Sequence, residues 1–218
     1  MVYKATYNDP MRPPFFFAIS RWFFRVVVED FFDIEFLGEE NIPQHGPCIL
    51  AANHCSFLDP PAVVVGSMRN TFSFARKTLF KPGIRGEIFS RLLTIPVDRD
   101  SGGDVAAIRN VLQKLEAGQS VLMFPEGKRS LNGEIQPFKR GIGLLAAMAQ
   151  VPIVPVRIFG SHEAWSPNMS GPKFFTPLRV IYGTALTPEA YDPGPTHPNR
   201  YESIACYVHS ALGAILCA

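Results

Sequence analysis

The sequence predicts a single α/β domain in which helices cover both faces of a central, mixed but mostly parallel β-sheet. Two observations lead to this fold class. Short apolar segments such as CILAA (48–52) and SVLMF (120–124) alternate with helical patterns along the chain, and strands that are apolar throughout are typical of sheets buried on both faces. The length of 218 residues suits one domain with a substantial core.

The first predicted element is an N-terminal aromatic helix over 15–32, in the segment FFFAISRWFFRVVVEDFF. Aromatic and aliphatic side chains cover most of its surface, and the apolar side is wider than that of an ordinary amphipathic helix. This distribution is typical of a helix in a membrane interface. The alternative is a helix docked on its own domain. Both interpretations can hold if one side of the helix packs on protein and the other side contacts lipid. The polar residues that share one face at four-residue spacing are Arg21, Arg25 and Glu29.

The apolar part of this helix is too short to cross a bilayer. Residues 15–28 make 14 positions, three of them Ser20, Arg21 and Arg25, whereas a spanning helix needs about 20 apolar residues. We find no signal peptide at the N-terminus. We therefore predict a membrane-interface helical segment over 1–33, followed by an α/β domain over 34–218, and a peripheral protein at the cytoplasmic face of a membrane.

From residue 34 onwards, predicted strands and helices alternate. The strands are IEFLG (34–38), PCILAAN (47–53), TFSFA (71–75), TIPVD (94–98), SVLMF (120–124), PIVPVRI (152–158) and LRVIYG (178–183). Asp59, followed by Pro60 and Pro61, predicts a helix start, because aspartate caps helices and proline suits the first turn. Further helical patterns cover 79–93 (irregular), 105–118, 141–150 and 201–217, and the Pro- and Gly-rich stretch 183–198 predicts a loop.

The composition excludes some classes of function. The net charge of +2 is too small for a typical nucleic-acid-binding protein, so we expect no nucleic-acid partner. Charged residues make up only 18%, and 18 phenylalanines exceed what one core requires. Part of the aromatic surface is therefore expected to face something other than water. The four cysteines have no zinc-ligand spacing, which favours free thiols in a reducing compartment and predicts no metal site.

Two polar clusters follow predicted strands, where sheets of this type bind ligands. The first is NHCSFLD (53–59), with His54 and Asp59 five positions apart. An ionised Asp59 at a helix start can accept the proton of one imidazole nitrogen and leave the other nitrogen free as a base. A neutral histidine with an ordinary pKa of about 6.5 is suited to removing a proton from a hydroxyl. This spacing alone also fits a capping aspartate beside a hydrogen-bonded histidine.

Several catalytic motifs are absent from the sequence. There is no G-x-S-x-G elbow, no H-E-x-x-H and no Walker loop. The base is therefore expected to serve a hydroxyl of the substrate, and a nucleophilic role for Cys55 is disfavoured because adjacent side chains on an extended segment point apart.

The second cluster is FPEGKRS (124–130), in which a Glu-Gly turn precedes Lys128 and Arg129. Backbone donors and two cations are suited to binding a phosphate. Residues 69–99 add seven bases against two acids, which predicts a positive patch, with a solvated face as the alternative. Arg99, directly after the strand TIPVD, is the base expected to point into the site.

Four segments together resemble the motifs of the glycerolipid acyltransferase family, whose best-known bacterial members are 1-acyl-sn-glycerol-3-phosphate acyltransferases. They are NHCSFLD, IPVDR, FPEGKRS and VPIVPV, in the family's order and spacing. The resemblance implies that His54 is the general base and Asp59 its orienting partner. It also implies that Arg99, Glu126, Gly127 and Arg129 shape the phosphate site of the acceptor, and that Lys77 and Lys139 occupy family positions. Lys128 stands where the family usually has threonine, which leaves the headgroup open.

The function implied is transfer of a fatty acyl group to the free hydroxyl of a lysophospholipid, from acyl-CoA or acyl carrier protein. The acceptor expected is 1-acyl-sn-glycerol-3-phosphate, which gives phosphatidic acid. A thioester is already activated, so no cofactor and no metal are expected, and backbone N–H groups near Gly127 are the expected oxyanion donors. The alternatives are a lyso-ornithine lipid as acceptor, a lipid hydrolase or transacylase, and a non-catalytic lipid-binding module.

Overall fold

The computed structural model describes residues 15–81, 83, 87, 92–97 and 105–217. Within these ranges the strands are β1 (Ile34–Leu37), β2 (Cys48–Ala52), β3 (Thr71–Arg76), β4 (Thr94–Val97), β5 (Ser120–Met123), β6 (Ile153–Phe159) and β7 (Leu178–Tyr182). The helices are α1 (Phe15–Phe31), α2 (Asp59–Gly66), α3 (Val105–Glu116), α4 (Arg140–Ala149), α5 (Ser161–Trp165), α6 (Pro188–Tyr191) and α7 (Arg200–Gly213). Short 3₁₀ turns cover Glu39–Asn41 and Lys77–Phe80.

The described strands form one mixed sheet in the order β1-β7-β6-β2-β5-β3-β4. Strands β2 to β6 run parallel to one another, whereas β7 is antiparallel to β6 and parallel to β1. The predicted fold class, a single α/β domain with a mixed and mostly parallel sheet, is therefore confirmed. The carboxyl ends of β2, β3, β5 and β6 meet at one edge, which is where the two polar clusters of the sequence lie.

Side chains of the central strand β2 alternate between two cores. Ile49 and Ala51 face the core beneath α3, α4 and α7, whereas Cys48, Leu50 and Ala52 face the core beneath α2. All five residues are buried, as expected for a strand covered on both faces. The segment CILAA is apolar at every position, without an alternation of apolar and polar residues, because each face of β2 packs into a different core.

A glycine sets the close packing of α4 on α7. A Cβ atom added to Gly143 would lie 1.9 Å from the backbone oxygen of Tyr201, so only glycine allows the two backbones to approach this closely. The resulting contact buries Ile204 and Val208 of α7 against α4 and the sheet. This packing fixes α4, whose preceding loop carries the second polar cluster.

Helix α1 has one buried side and one exposed side. Phe17 and Val28 are buried, whereas Phe15 and Trp22 are 81% and 65% exposed. The helix packs on α2. One side of α1 is therefore docked on its own domain, as one of the two interpretations of this helix predicted. None of the helices in the described ranges combines the length and apolar character needed to span a bilayer. The division of the chain at residue 33 stays a prediction.

Four predictions of local structure differ from the structure. The C-terminal helix ends at Gly213 rather than near Cys217, and the predicted loop 183–198 contains the helix α6. Asp59 is the first residue of α2 and Leu58 is the N-cap, so the carboxylate does not cap the helix and instead accepts the N–H groups of Cys55 and Ser56 before it. The predicted irregular helix over 79–93 begins with a 3₁₀ turn at Lys77–Phe80, and most of its remainder lies outside the described residues.

Candidate active site

The centre of the site is a buried pair formed by His54 and Asp59. His54 is 8% exposed and Asp59 is fully buried. Nδ1 of His54 lies 2.8 Å from Oδ2 of Asp59, and since a carboxylate only accepts, the imidazole donates through Nδ1–H. This bond fixes the tautomer with Nε2 as the free acceptor, which is the state a general base requires.

Asp59 is held by the loop that precedes its own helix. The backbone N–H groups of Cys55 and Ser56 both donate to Oδ2 at 2.7 Å, in addition to the imidazole. Oδ2 therefore accepts three hydrogen bonds. The two from the backbone close a tight turn over 54–59, and the one from Nδ1 orients the imidazole of His54. Oδ1 is buried and has no hydrogen-bond partner among the described residues.

Cys55 is unsuited to act as a nucleophile in this environment. Burial, together with the charge of Asp59, raises the pKa of its thiol to about 12, so the thiolate is scarce at neutral pH. Its Sγ hydrogen-bonds with Ser161 Oγ at 3.2 Å. The structure thus disfavours Cys55 as a nucleophile, and the expectation that His54 acts on a hydroxyl of the substrate stays a prediction. All four cysteines are free thiols, as predicted.

The second polar cluster follows β5, beside the dyad. Strand β5 pairs with β2, Ala51 lying opposite Met123, so the loop after β5 reaches the loop that carries His54. The ring of Phe124 stacks on the imidazole with centroids 4.0 Å apart. Ser130 donates its N–H to the backbone oxygen of His54 at 2.7 Å. The two clusters that the sequence predicted to meet are therefore in direct contact.

Glu126 and Gly127 form the turn of this loop. Glu126 is 2% exposed, and its Oε1 accepts the backbone N–H of His54 at 3.0 Å. Gly127 has φ +76°, a conformation that favours glycine, and a Cβ there would lie 2.8 Å from Nζ of Lys139. The N–H of Gly127 donates to Phe124 at 3.0 Å, so this donor, which we expected to be available to an oxyanion, is already in use.

The predicted cations differ in their placement. Arg129 is half-buried, and its guanidinium lies 3.7 Å above the ring of Phe57. Lys128, Lys139 and Lys77 are exposed, Lys139 standing directly before α4 and Lys77 in the turn after β3. Arg99 lies outside the described residues. The roles of all nine predicted site residues in catalysis or binding stay predictions.

Arg76 is a further cation that the sequence analysis counted in the basic stretch 69–99 but did not assign to the site. It is the last residue of β3, three positions after Ser73, which pairs with Leu122 of β5. Burial lowers the pKa of Arg129; the charge of Arg76 lowers it further, and that of Asp59 raises it. The guanidinium groups of Arg76 and Arg129 therefore lie at the same edge of the sheet, beside the dyad. The position of Arg76 at the end of a predicted strand could have indicated that it belongs to the site.

Arg157 and Phe57 were also not predicted. Arg157 lies on β6, and its charge interacts with Cys55 and Glu126 on the inner side of the site. Phe57 is exposed and contacts both Arg129 and Trp165, the latter with ring centroids 5.1 Å apart. Phe57 lies within the cluster NHCSFLD, but nothing in the sequence indicated its contact with Arg129, and Arg157 joins the site only because β6 lies beside β2.

Comparison with known proteins places this chain. A family described as Acyltransferase matches residues 33–159. The chloroplastic 1-acyl-sn-glycerol-3-phosphate acyltransferase of Brassica napus is 30% identical over 176 residues, covering 79% of this chain and 51% of that protein. The human 1-acyl-sn-glycerol-3-phosphate acyltransferase alpha is 33% identical over 125 residues, covering 56% of this chain and 44% of that protein. The chain thus spans about half the length of these curated relatives.

A solved structure supports the fold. The 1-acyl-sn-glycerophosphate acyltransferase PlsC of Thermotoga maritima superimposes with a TM-score of 0.68 at 24% identity, covering 91% of this chain and 75% of that one. The residues matched by the family include the dyad and the loop after β5. Because the match extends over more than half of the chain, this protein belongs to the Acyltransferase family.

Proposed function

We propose that this protein transfers a fatty acyl group from an acyl thioester to the free hydroxyl of 1-acyl-sn-glycerol-3-phosphate, which gives phosphatidic acid. The observation that carries the proposal is the buried His54–Asp59 hydrogen bond of 2.8 Å beside the guanidinium groups of Arg129 and Arg76. A base held in one tautomer next to a cationic edge is suited to a substrate that carries both a hydroxyl and a phosphate. The names of the relatives agree with this reaction.

In the proposed reaction, Nε2 of His54 removes the proton of the acceptor hydroxyl as its oxygen attacks the thioester carbonyl. Asp59 stabilises the imidazolium that forms. The tetrahedral intermediate then collapses, the carbon–sulfur bond breaks, and the imidazolium returns the proton to the departing thiolate. Ester and free thiol are the products, and the histidine is restored to its neutral state.

The acceptor phosphate is proposed to bind the cations at the carboxyl edge of the sheet. Arg129 has a buried Nη1 with no hydrogen-bond partner among the described residues, so a phosphate oxygen would satisfy a donor that is otherwise unpaired. Arg76, Lys128, Lys139 and Lys77 are proposed to add positive potential around it, and Arg99 to join them from the segment after β4. The headgroup preference rests on these cations, and a lyso-ornithine acceptor would make less use of them.

The donor and the membrane contact are part of the proposal. Acyl-CoA and acyl carrier protein both present a thioester, and no cofactor is proposed because that bond is already activated. The exposed aromatic side of α1, which includes Phe15 and Trp22, is proposed to lie in the interface of the cytoplasmic leaflet. This would make the protein peripheral and bring its site to a lipid acceptor.

The test is a product assay with the purified protein. It would be incubated with 1-acyl-sn-glycerol-3-phosphate, lysophosphatidylcholine or a lyso-ornithine lipid, each with acyl-CoA and with acyl carrier protein, and the products identified by mass spectrometry. Phosphatidic acid formed fastest from 1-acyl-sn-glycerol-3-phosphate is the expected result. Free fatty acid without lipid product would indicate a hydrolase. Transfer of an acyl group between two lipids would indicate a transacylase. Binding of lipid without turnover would contradict catalysis.

A further inference from the structure

Glu126 occupies a position that the proposed reaction does not use. Its side chain is buried, and Oε1 accepts the backbone N–H of His54 at 3.0 Å. A carboxylate accepts hydrogen bonds and repels anions, so it is a poor ligand for a phosphate dianion. The family resemblance suggested that Glu126 shapes the phosphate site, whereas its contact is with the residue that acts as base.

The loop after β5 holds His54 by both of its backbone groups. While Glu126 accepts the N–H, the N–H of Ser130 donates to the backbone oxygen of His54 at 2.7 Å. The ring of Phe124 from the same loop stacks on the imidazole. Asp59 bonds His54 itself only at the side-chain nitrogen and orders the backbone from Cys55 onwards, so the backbone N–H and oxygen of His54 are held by the loop after β5.

The surroundings of Glu126 couple its charge to the dyad. Burial raises the pKa of its carboxyl to about 7. The N–H groups of His54 and Gln136 oppose that change, the charge of Asp59 adds to it, and the charge of Arg157 opposes it. Among the described residues, Cys55 is a further titratable neighbour, and it is neutral at this pH because its own pKa is about 12. The carboxyl of Glu126 therefore changes between its neutral and its negatively charged form around neutral pH.

We propose that Glu126 is a positioning residue, which fixes the backbone of His54 by accepting its N–H and so holds the imidazole in place. The inference rests on the proposed function for its kinetic test but not for its spectroscopic one. It assigns to Glu126 an effect on kcat through His54 and little effect on binding of the acceptor phosphate. Arg157, on the other side of the carboxylate, is the cation that favours its charged form.

The kinetic test compares Glu126→Gln and Glu126→Ala with wild type. We expect Glu126→Ala to lower kcat by about 10–100-fold with the acceptor KM changed less than about threefold, in the range seen when partners that orient a reactive group are removed. Glu126→Gln keeps an oxygen acceptor and should lose less. Glu134→Gln, an exposed carboxylate in the same loop, is the control and should match wild type.

The pH profile separates positioning from a general loss of structure. Because burial raises the pKa of Glu126 to about 7, the pH profile of wild-type kcat/KM should include a transition near that pH, which should be absent in Glu126→Gln because glutamine does not titrate. A profile of Glu126→Gln superimposable on that of wild type would overturn the proposal. So would a raised acceptor KM with unchanged kcat, because that is the pattern expected of a phosphate ligand.

An NMR measurement tests the same inference without turnover. The His54 signal would be assigned among the five histidines by its loss in His54→Gln. We expect the chemical shift of this signal to differ between wild type and Glu126→Ala at constant pH, because Glu126→Ala removes the acceptor of the His54 backbone N–H, and an unchanged chemical shift would contradict the proposal. If wild type transfers no acyl group yet the chemical shift changes, the proposed function fails and this inference stands.

Stability gives an independent readout of the buried carboxyl. A carboxyl whose pKa is raised on folding contributes stability below its unfolded pKa of about 4.3, and this contribution is lost as pH rises through about 7. The Tm of Glu126→Gln relative to wild type should therefore rise between pH 5 and pH 8. A constant difference over that interval would show that the carboxyl does not titrate there.

Discussion

The dyad and the cationic edge beside it are organised in opposite ways. Oδ2 of Asp59 accepts three hydrogen bonds, and the backbone of His54 is bonded at both its N–H and its oxygen. At the cationic edge Lys128 is exposed, and a buried nitrogen of Arg129 has no hydrogen-bond partner among the described residues. His54, the proposed base, is thus held in one position by hydrogen bonds, whereas Arg129, a proposed phosphate ligand, keeps a donor available. Removing a dyad residue should therefore change kcat, and removing a cation should change KM.

The largest expected effect is that of His54→Ala. Loss of the general base should lower kcat by about 10²–10⁴-fold, with the acceptor KM little changed. Product formation by mass spectrometry and a thermal melt would be measured together, with His45→Ala, an exposed histidine before β2, as the control. A folded His54→Ala protein with near wild-type turnover would refute the mechanism.

Asp59→Asn should have the next largest effect. The amide removes the charge that stabilises the imidazolium and no longer enforces donation from Nδ1, so we expect kcat to fall by about 10²-fold or more. Because Oδ2 also orders the backbone of Cys55 and Ser56, the Tm should fall as well. A variant with reduced Tm but unchanged kcat would mean that Asp59 supports only the loop.

Arg129→Ala tests the cationic edge. A charged hydrogen bond contributes about 1.5–3 kcal/mol, so the acceptor KM should rise by about tenfold or more while kcat with saturating acceptor changes little. Arg76→Ala should act in the same direction with a smaller effect, since Arg76 is exposed. Unchanged KM and kcat in both variants would remove these residues from the site.

Lys128→Ala should have the smallest effect. An exposed cation contributes at most about 1 kcal/mol and is screened by salt, so we expect the acceptor KM to rise by about two- to threefold at low ionic strength and less at high salt. Lys81→Ala, another exposed lysine of the basic stretch, is the control. An effect as large as that of Arg129→Ala would show that Lys128 binds the headgroup directly.

Much of this architecture could be predicted from local patterns. Apolar strands such as Cys48–Ala52 and helices such as Arg140–Ala149 follow from hydrophobic periodicity, and their alternation predicted the mixed, mostly parallel sheet. The His54–Asp59 hydrogen bond could also be anticipated, because five positions are few enough for one loop to bring both side chains together. The predicted helix start at Asp59 is confirmed, whereas the cap expected of its side chain was wrong, because the carboxylate binds the N–H groups of the turn before the helix.

The sequence by itself thus determined most of the elements, the fold class and the contact between His54 and Asp59, since these depend on residues close together in the chain. Only the tertiary structure decided that Glu126 contacts the backbone of His54, 72 positions away, and that Arg76 joins Arg129. Both depend on β5 lying between β2 and β3. Strand order is set by how all the apolar surfaces pack together, and no local pattern records which strand ends become neighbours.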